Sequence, residues 1–127
     1  MRPKTPRHVG VEEAVSTIKS GDTVFVSGNA STPHGPLAAL AARKNKLKNV
    51  EVMHLLLYGE DDPLSRPEME GHFRHNSFFI GPADRKAVNE GRADYIPTHL
   101  HEIPRLFYSG QVPIDVALIH SCPPDEH

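Results

Sequence analysis

Apolar residues follow two alternating spacings along this chain. Val11, Ala14, Val15 and Ile18 fall on one helical face and predict a helix over 11–20. Glu12 and Glu13 stand in its first turn and Gly21 follows its end. A β-branched and aromatic run then predicts a strand over 23–27. Residues 36–46 are rich in Ala and Leu and predict a second helix. The basic run from Arg43 to Lys48 suits its C-terminus and a solvated face. Residues 50–58 are almost continuously apolar, the mark of a strand covered on both faces. His54 lies inside that run and reads as a hydrogen-bonded core residue. The acidic, Pro-broken segment 59–68, GEDDPLSRPE, predicts an exposed loop. Asp61 and Asp62 do not open a carboxylate ladder of calcium-loop spacing.

The chain is organised around residues 70–97, EGHFRHNSFFIGPADRKAVNEGRADYIP. The spacing predicts a strand over 73–80, a break at Gly81-Pro82, a helix over 82–90 and a strand over 93–97. Pro82 at a first helical position gives up an N–H that has no intrahelical partner. Asp84 in the first turn suits the helix N-terminus, and Gly91 is a left-handed stop. Strand, helix and strand in about 25 residues is a crossover unit, and crossovers join parallel strands. A helix over 102–109 and a strand over 114–120 complete the alternation. The predicted fold is α/β, an open, mainly parallel sheet with flanking helices.

Two stretches carry candidate chemistry. Residues 28–35, GNASTPHG, link a strand to a helix, where open α/β sheets bind ligands. Backbone N–H groups there, with the hydroxyls of Ser31 and Thr32, suit a carboxylate or phosphate. The same composition also suits a polar loop with a cap, and it matches neither the P-loop nor the GxGxxG spacing. In the 73–80 strand, alternation places Arg74 and Asn76 on one face and His75 and Ser77 on the other. Buried polar groups need partners, so these four form either a structural network or a site at the strand's end. Arg74 either pairs with an acid ligand or anchors Glu70 or Asp84.

Composition narrows the classes. A chain of 127 residues is one domain's worth, and its 38% hydrophobic content is slightly lean. A net charge of −2 supplies no basic field for nucleic acid. No apolar run approaches the ~18 residues of a membrane span. The single Cys122 excludes an internal disulfide and fits a reducing compartment. Nine His residues include His99 and His101 at a spacing that would align two ligands on a strand, but no HExxH or paired Cys is present, and no metal is expected. Residues 1–10 read as a disordered or targeting leader, which leaves the compartment mitochondrial or cytoplasmic, and 11–127 as one domain.

The wording of RHNSFFIGPADRKAVNEGRADYIP closely resembles the acetyl-CoA hydrolase/transferase family, which includes the 4-hydroxybutyrate CoA-transferases. PEMEGHFRHNSFF, HEIPRLF and CPPDEH resemble it in the same order, from Val11 to His127. The resemblance implies a class I CoA-transferase N-terminal domain. It implies transfer of CoA from an acyl-CoA to a small carboxylic acid such as acetate, by way of a glutamyl-CoA intermediate. Coenzyme A enters as the acyl-CoA substrate. The nucleophilic Glu belongs to the family's C-terminal half, and no Glu here matches its motif, so no catalytic residue is expected in this chain. By motif position, the implied substrate-binding residues are Gly28, Asn29, Ser31, Thr32, His34, Arg74, His75, Asn76 and Ser77. The chain is expected to be truncated, with a C-terminal CoA-transferase half or a second copy as partner. The exposed apolar strand 114–119 is expected to pair with another chain. The alternatives are a non-catalytic truncated homologue acting as a binding or partner subunit, and an unrelated α/β ligand-binding module.

Overall fold

A computed structural model describes residues 6–123. The five outermost residues of the expected leader, and the last four of the chain, lie outside the described residues. Five strands form one sheet: β1 (Thr23–Val26), β2 (Val50–His54), β3 (Phe73–Ser77), β4 (Asp94–Tyr95) and β5 (Val116–Leu118). Their order is β4-β3-β2-β1-β5, and every pairing is parallel. Four helices connect or flank them: α1 (Val11–Val15), α2 (His34–Ala42), α3 (Pro82–Asn89) and α4 (Ile103–Tyr108). The expected open parallel α/β sheet is therefore present, with every element at its expected place and shorter than expected. No helix among the described residues is long and apolar enough to cross a membrane.

The shortening has local causes. The Arg43 guanidinium donates to the carbonyls of Val15, Ser16 and Ile18, which ends α1 early by taking up its last carbonyls. Strand β2 stops at His54 because Leu56 turns in between two glycines. A Cβ on Gly81 would lie 2.5 Å from Leu56 Cδ1, and one on Gly28 would sit closer still to Leu56 O. Asn29 N–H donates to that same carbonyl at 2.8 Å. Three loops at the carboxyl edge of the sheet are thereby pressed together, and Gly28 is required by closeness of approach.

Register assigns each side chain to a face. Val24, Val26, Val50, Val52, Phe73, His75 and Ser77 point to one side. There Val15 of α1, Leu37 and Leu40 of α2 and Ala83 of α3 cover them in one buried cluster. Phe25, Met53 and Phe78 point to the other side, where Ile103, Leu106 and Phe107 of α4, with Leu55, Ile96 and Val112, form a second cluster with them. The Phe107 ring meets Phe25 and Phe78 edge-on, with centroids 5.5 Å and 5.9 Å apart. Toward the β4 edge this second face carries the polar pairs Arg74–Asp94 and Asn76–Glu51 instead.

The loop 59–68 departs from expectation. Asp62 and Leu64 within it are buried, because the loop folds back over β3 and α3. His99 and His101 lie in a tight turn before α4 and not on a strand; their rings stack with centroids 5.7 Å apart. The two sheet edges also differ. Edge strand β4 is two residues long and carries Asp94 paired to Arg74, the short, charged kind of edge that discourages pairing. Edge strand β5 carries no charge, and Ile114, Ala117 and Ile119 around it are exposed.

Candidate functional site

Strands β1 to β4 are laid down in one direction across the sheet, whereas the chain returns through α4 to place β5 on the far side of β1. The order reverses between β1 and β5. A crevice opens at the carboxyl edge beside this reversal, where open α/β sheets bind ligands. A cleft of about 350 Å³ lies there, lined by Thr32, Pro33, His34, Gly35, Pro36, Ile119 and His120. Its first wall is the second half of the expected GNASTPHG loop, Thr32 to Gly35, with Pro36; Gly28, Asn29 and Ser31 do not line it. Its second wall follows β5, a contribution that sequence reading missed because strand order is not written in the sequence.

Side-chain oxygens hold the loop in shape. Thr32 Oγ1 donates to Asn29 O at 2.8 Å and accepts from Tyr58 N–H at 3.0 Å. Its hydroxyl is buried and spent inside the protein. Ser27 Oγ donates to Ser31 O at 2.5 Å and accepts from His120 N–H at 3.0 Å, tying the two walls together. Ser27 was legible only as a strand residue. Asn29, Ser31 and His34 are exposed, and Gly28 is half-buried against Leu56.

The β3 residues divide as alternation predicts and do not join the loop in one surface. Arg74 lies near the amino end of β3 and donates to Asp94, with Nη2 2.7 Å from Oδ1. Neither Glu70 nor Asp84 is its anchor: Asp94 follows a helix and a turn, and only the parallel β3–β4 pairing brings it alongside. Asp94 holds the guanidinium ionised, and Arg74 pulls the Asp94 carboxyl below its ordinary range. Asn76 Nδ2 donates to Glu51 Oε2 at 3.1 Å.

His75 and Ser77 are buried on the helix-covered face and enter a chain of contacts. Asp62 Oδ2 lies 2.8 Å from His75 Nε2, close but off-line for a hydrogen bond. His75 Nδ1 meets His54 Nε2 at 3.0 Å. Ser77 Oγ lies 3.3 Å from His54 Nε2 and donates to Asp84 Oδ2. Asp84 Oδ1 accepts from Gly81 N–H at 3.0 Å, and Asp62 Oδ1 from Leu64 N–H at 3.1 Å. Burial, then the neighbouring His75, push the His54 imidazole down to about 3. Burial opposes ionisation of Asp62, yet His75 and Leu64 N–H together hold it below the ordinary carboxylate range. His54 is the hydrogen-bonded core residue expected. No group of three or more His, Cys, Asp or Glu able to hold a metal occurs among the described residues.

The description of the family model that matches residues 5–127 is acetyl-CoA hydrolase/transferase N-terminal domain. The chain belongs to this family. Similar family members include the 4-hydroxybutyrate coenzyme A transferase of Clostridium kluyveri, 37% identical over 119 residues. The succinyl-CoA:acetate/propanoyl-CoA:succinate CoA transferase of Fasciola hepatica is 41% identical over 118. These alignments cover 94% and 91% of this chain but only 28% and 24% of the relatives. Among solved structures, RipA from Yersinia pestis superposes with a TM-score of 0.77 at 25% identity, over 87% of this chain and 28% of that one. The 4-hydroxybutyrate CoA-transferase of Porphyromonas gingivalis superposes at 0.69 with 28% identity, over 93% of this chain and 25% of that one. The chain thus spans about a quarter of the family members it matches.

Proposed function

We propose that this chain forms the N-terminal part of an acyl-CoA:carboxylate CoA-transferase, with its switch-point cleft as one wall of the substrate site. The observation that carries the reading is the position of that cleft, between the carboxyl ends of β1 and β5, in a chain of this family. Gly28, Asn29, Ser31, Thr32 and His34 supply the loop that faces acyl-CoA and carboxylate; Thr32 does so by fixing the loop, the exposed Ser31 and Asn29 by donating to substrate oxygens. Arg74, His75, Asn76 and Ser77 shape the sheet that carries the loop, since their side chains contact other residues of the protein. The remainder of a family member supplies the carboxylate that attacks the thioester, giving an acyl-glutamyl anhydride and CoA thiolate. The thiolate attacks the glutamyl carbonyl, releasing the donor acid and leaving glutamyl-CoA. The reverse steps with an acid such as acetate form the new acyl-CoA and free the carboxylate.

The chain alone is expected to transfer no CoA from an acyl-CoA to acetate. Joined to the remaining three quarters of a family member, it is expected to do so. In that complete protein, Ser31→Ala should lower turnover about a hundredfold to a thousandfold, the effect of one lost donor to a developing oxyanion, with an unchanged melting temperature. Turnover by the chain alone that disappears when one of its own Glu residues is changed would overturn the division of labour. Full activity of Ser31→Ala with a lowered melting temperature would assign the loop to the fold.

A further inference from the structure

Each wall of the switch-point cleft contributes one imidazole: His34 opens α2, and His120 follows β5. The sheet explains how His120 gets there. Val116 and Leu118 pack on the helix-covered cluster, so alternation turns His120 to the same side, where α2 begins. Its backbone N–H donates to Ser27 Oγ, which also donates to Ser31 O in the loop of the opposite wall. Ser27 N–H in turn donates to Leu118 O at 3.0 Å. The His34 ring lies beside the loop after β2, with Cε1 4.0 Å from where a Cβ on Gly59 would stand. Both histidines are exposed, and among the described residues neither ring is hydrogen-bonded to the protein.

The rest of the lining sets what these rings can hold. Pro33, Pro36 and Ile119 present carbon, Thr32 spends its hydroxyl inside the protein, and no Lys, Arg, Asp or Glu lines the cleft among the described residues. The volume of about 350 Å³ lies at the low end of small-molecule pockets, ~300–1,000 Å³. That is room for a short acid or acyl chain and not for a nucleotide-bearing CoA. A neutral imidazole offers one N–H donor and an imidazolium two, so the pair suits one carboxylate or one carbonyl oxygen. The N-terminal end of α2 favours the same negative charge. A second carboxylate on the tail would meet Pro33, Pro36 and Ile119 with no cation to pair it, and an unpaired charge against apolar groups is costly.

We propose that this cleft holds the short acid of the exchange, and its acyl form, and not the CoA. His34 and His120 take the carboxylate or carbonyl oxygen, and Pro33, Pro36 and Ile119 take an aliphatic tail that bears no second charge. The inference rests on the reading of the cleft as a wall of the substrate site. It adds His120 as a binding residue and a preference for monocarboxylates over dicarboxylates.

The test is a titration of the 127-residue protein with butyrate, succinate and pantetheine at neutral pH and fixed salt, followed by NMR. An acid this small is expected to bind with a Kd of about 1–10 mM. Butyrate is expected to shift both imidazoles and to show Overhauser contacts from its methyl to the Ile119 side chain, with Phe73 at the amino end of β3 unmoved. His34→Ala and His120→Ala should each weaken butyrate binding about tenfold, and succinate should bind at least about tenfold more weakly than butyrate. If a variant fails to fold, the wild-type Overhauser contacts and imidazole shifts decide. Butyrate at about 50 mM, well above that Kd, that moves neither imidazole overturns the assignment. So does succinate bound as tightly as butyrate, or pantetheine that occupies the cleft in preference to it. The transfer reading is judged separately, by turnover of the protein joined to the rest of a family member. Turnover there without butyrate contacts to this cleft sinks the acid site alone, whereas contacts without turnover keep the acid site and sink the transfer.

Discussion

On the face of the sheet carrying Val24, Val52 and His75, three helices exclude water and even the polar side chains His54, His75 and Ser77 are buried. On the opposite face, α4 covers Phe25, Met53 and Phe78 alone, and Glu51, Arg74, Asn76 and Asp94 remain in solvent. Parallel sheets are ordinarily covered on both faces. This one has a complete layer on one side and half a layer on the other. Between α4 and the sheet, the second face keeps an open groove of about 350 Å³ lined by residues including Phe25, Leu55, Ile103, Phe107 and Ile114. The contrast teaches that the stability of this chain resides on the α1–α2–α3 side. The other side is built from polar pairs that tolerate water and a smaller buried cluster around Met53, Phe78 and Ile103.

Matched truncations break or confirm this contrast. Leu40→Ala, in a fully buried site on the complete face, is expected to cost about 2–5 kcal/mol in denaturant unfolding. Leu55→Ala, half-buried at the groove, should cost about 1 kcal/mol, since less apolar area leaves water there. Equal losses would show that both faces are load-sharing. Next in size is the junction between the loops. Gly28→Ala must displace the Leu56 carbonyl and is expected to cost about 1–3 kcal/mol, whereas Gly35→Ala, with open space around it, should be near neutral. Melting temperatures of the two variants compare them directly. The smallest effect belongs to the polar half-face. Arg74→Ala removes an ion pair whose side chains are 47% and 51% exposed, so its cost should stay under about 1 kcal/mol and shrink further in salt.

The elements were legible because each is announced by its own residues. Apolar spacing marked β1, β2 and β3, and Gly81-Pro82 with Gly91 bracketed α3. What stayed hidden depends on residues distant in sequence. Asp62 looks like a loop acid among Pro and Glu, and only its approach to His75 explains why it is buried. Arg74 had acids nearby at Glu70 and Asp84, but the β3–β4 pairing delivered Asp94 instead. Of the cleft, the GNASTPHG wall could be found because it joins a strand to a helix. The Ile119–His120 wall could not, because nothing local states that β5 crosses to lie beside β1.

The hydrogen bonds of Ser27 Oγ set an order of construction. Strands β1 to β4 meet in sequence, each closing a modest loop as the chain lengthens. The cleft closes only when His120 returns to Ser27 across 93 residues. Longer loops cost more entropy to close, though the penalty grows only with the logarithm of length. Contacts of such separation also form late in folding. A nascent chain therefore holds most of its scaffold before it holds any binding cleft. Release from synthesis short of residue 120 would leave a folded, half-covered sheet with no site.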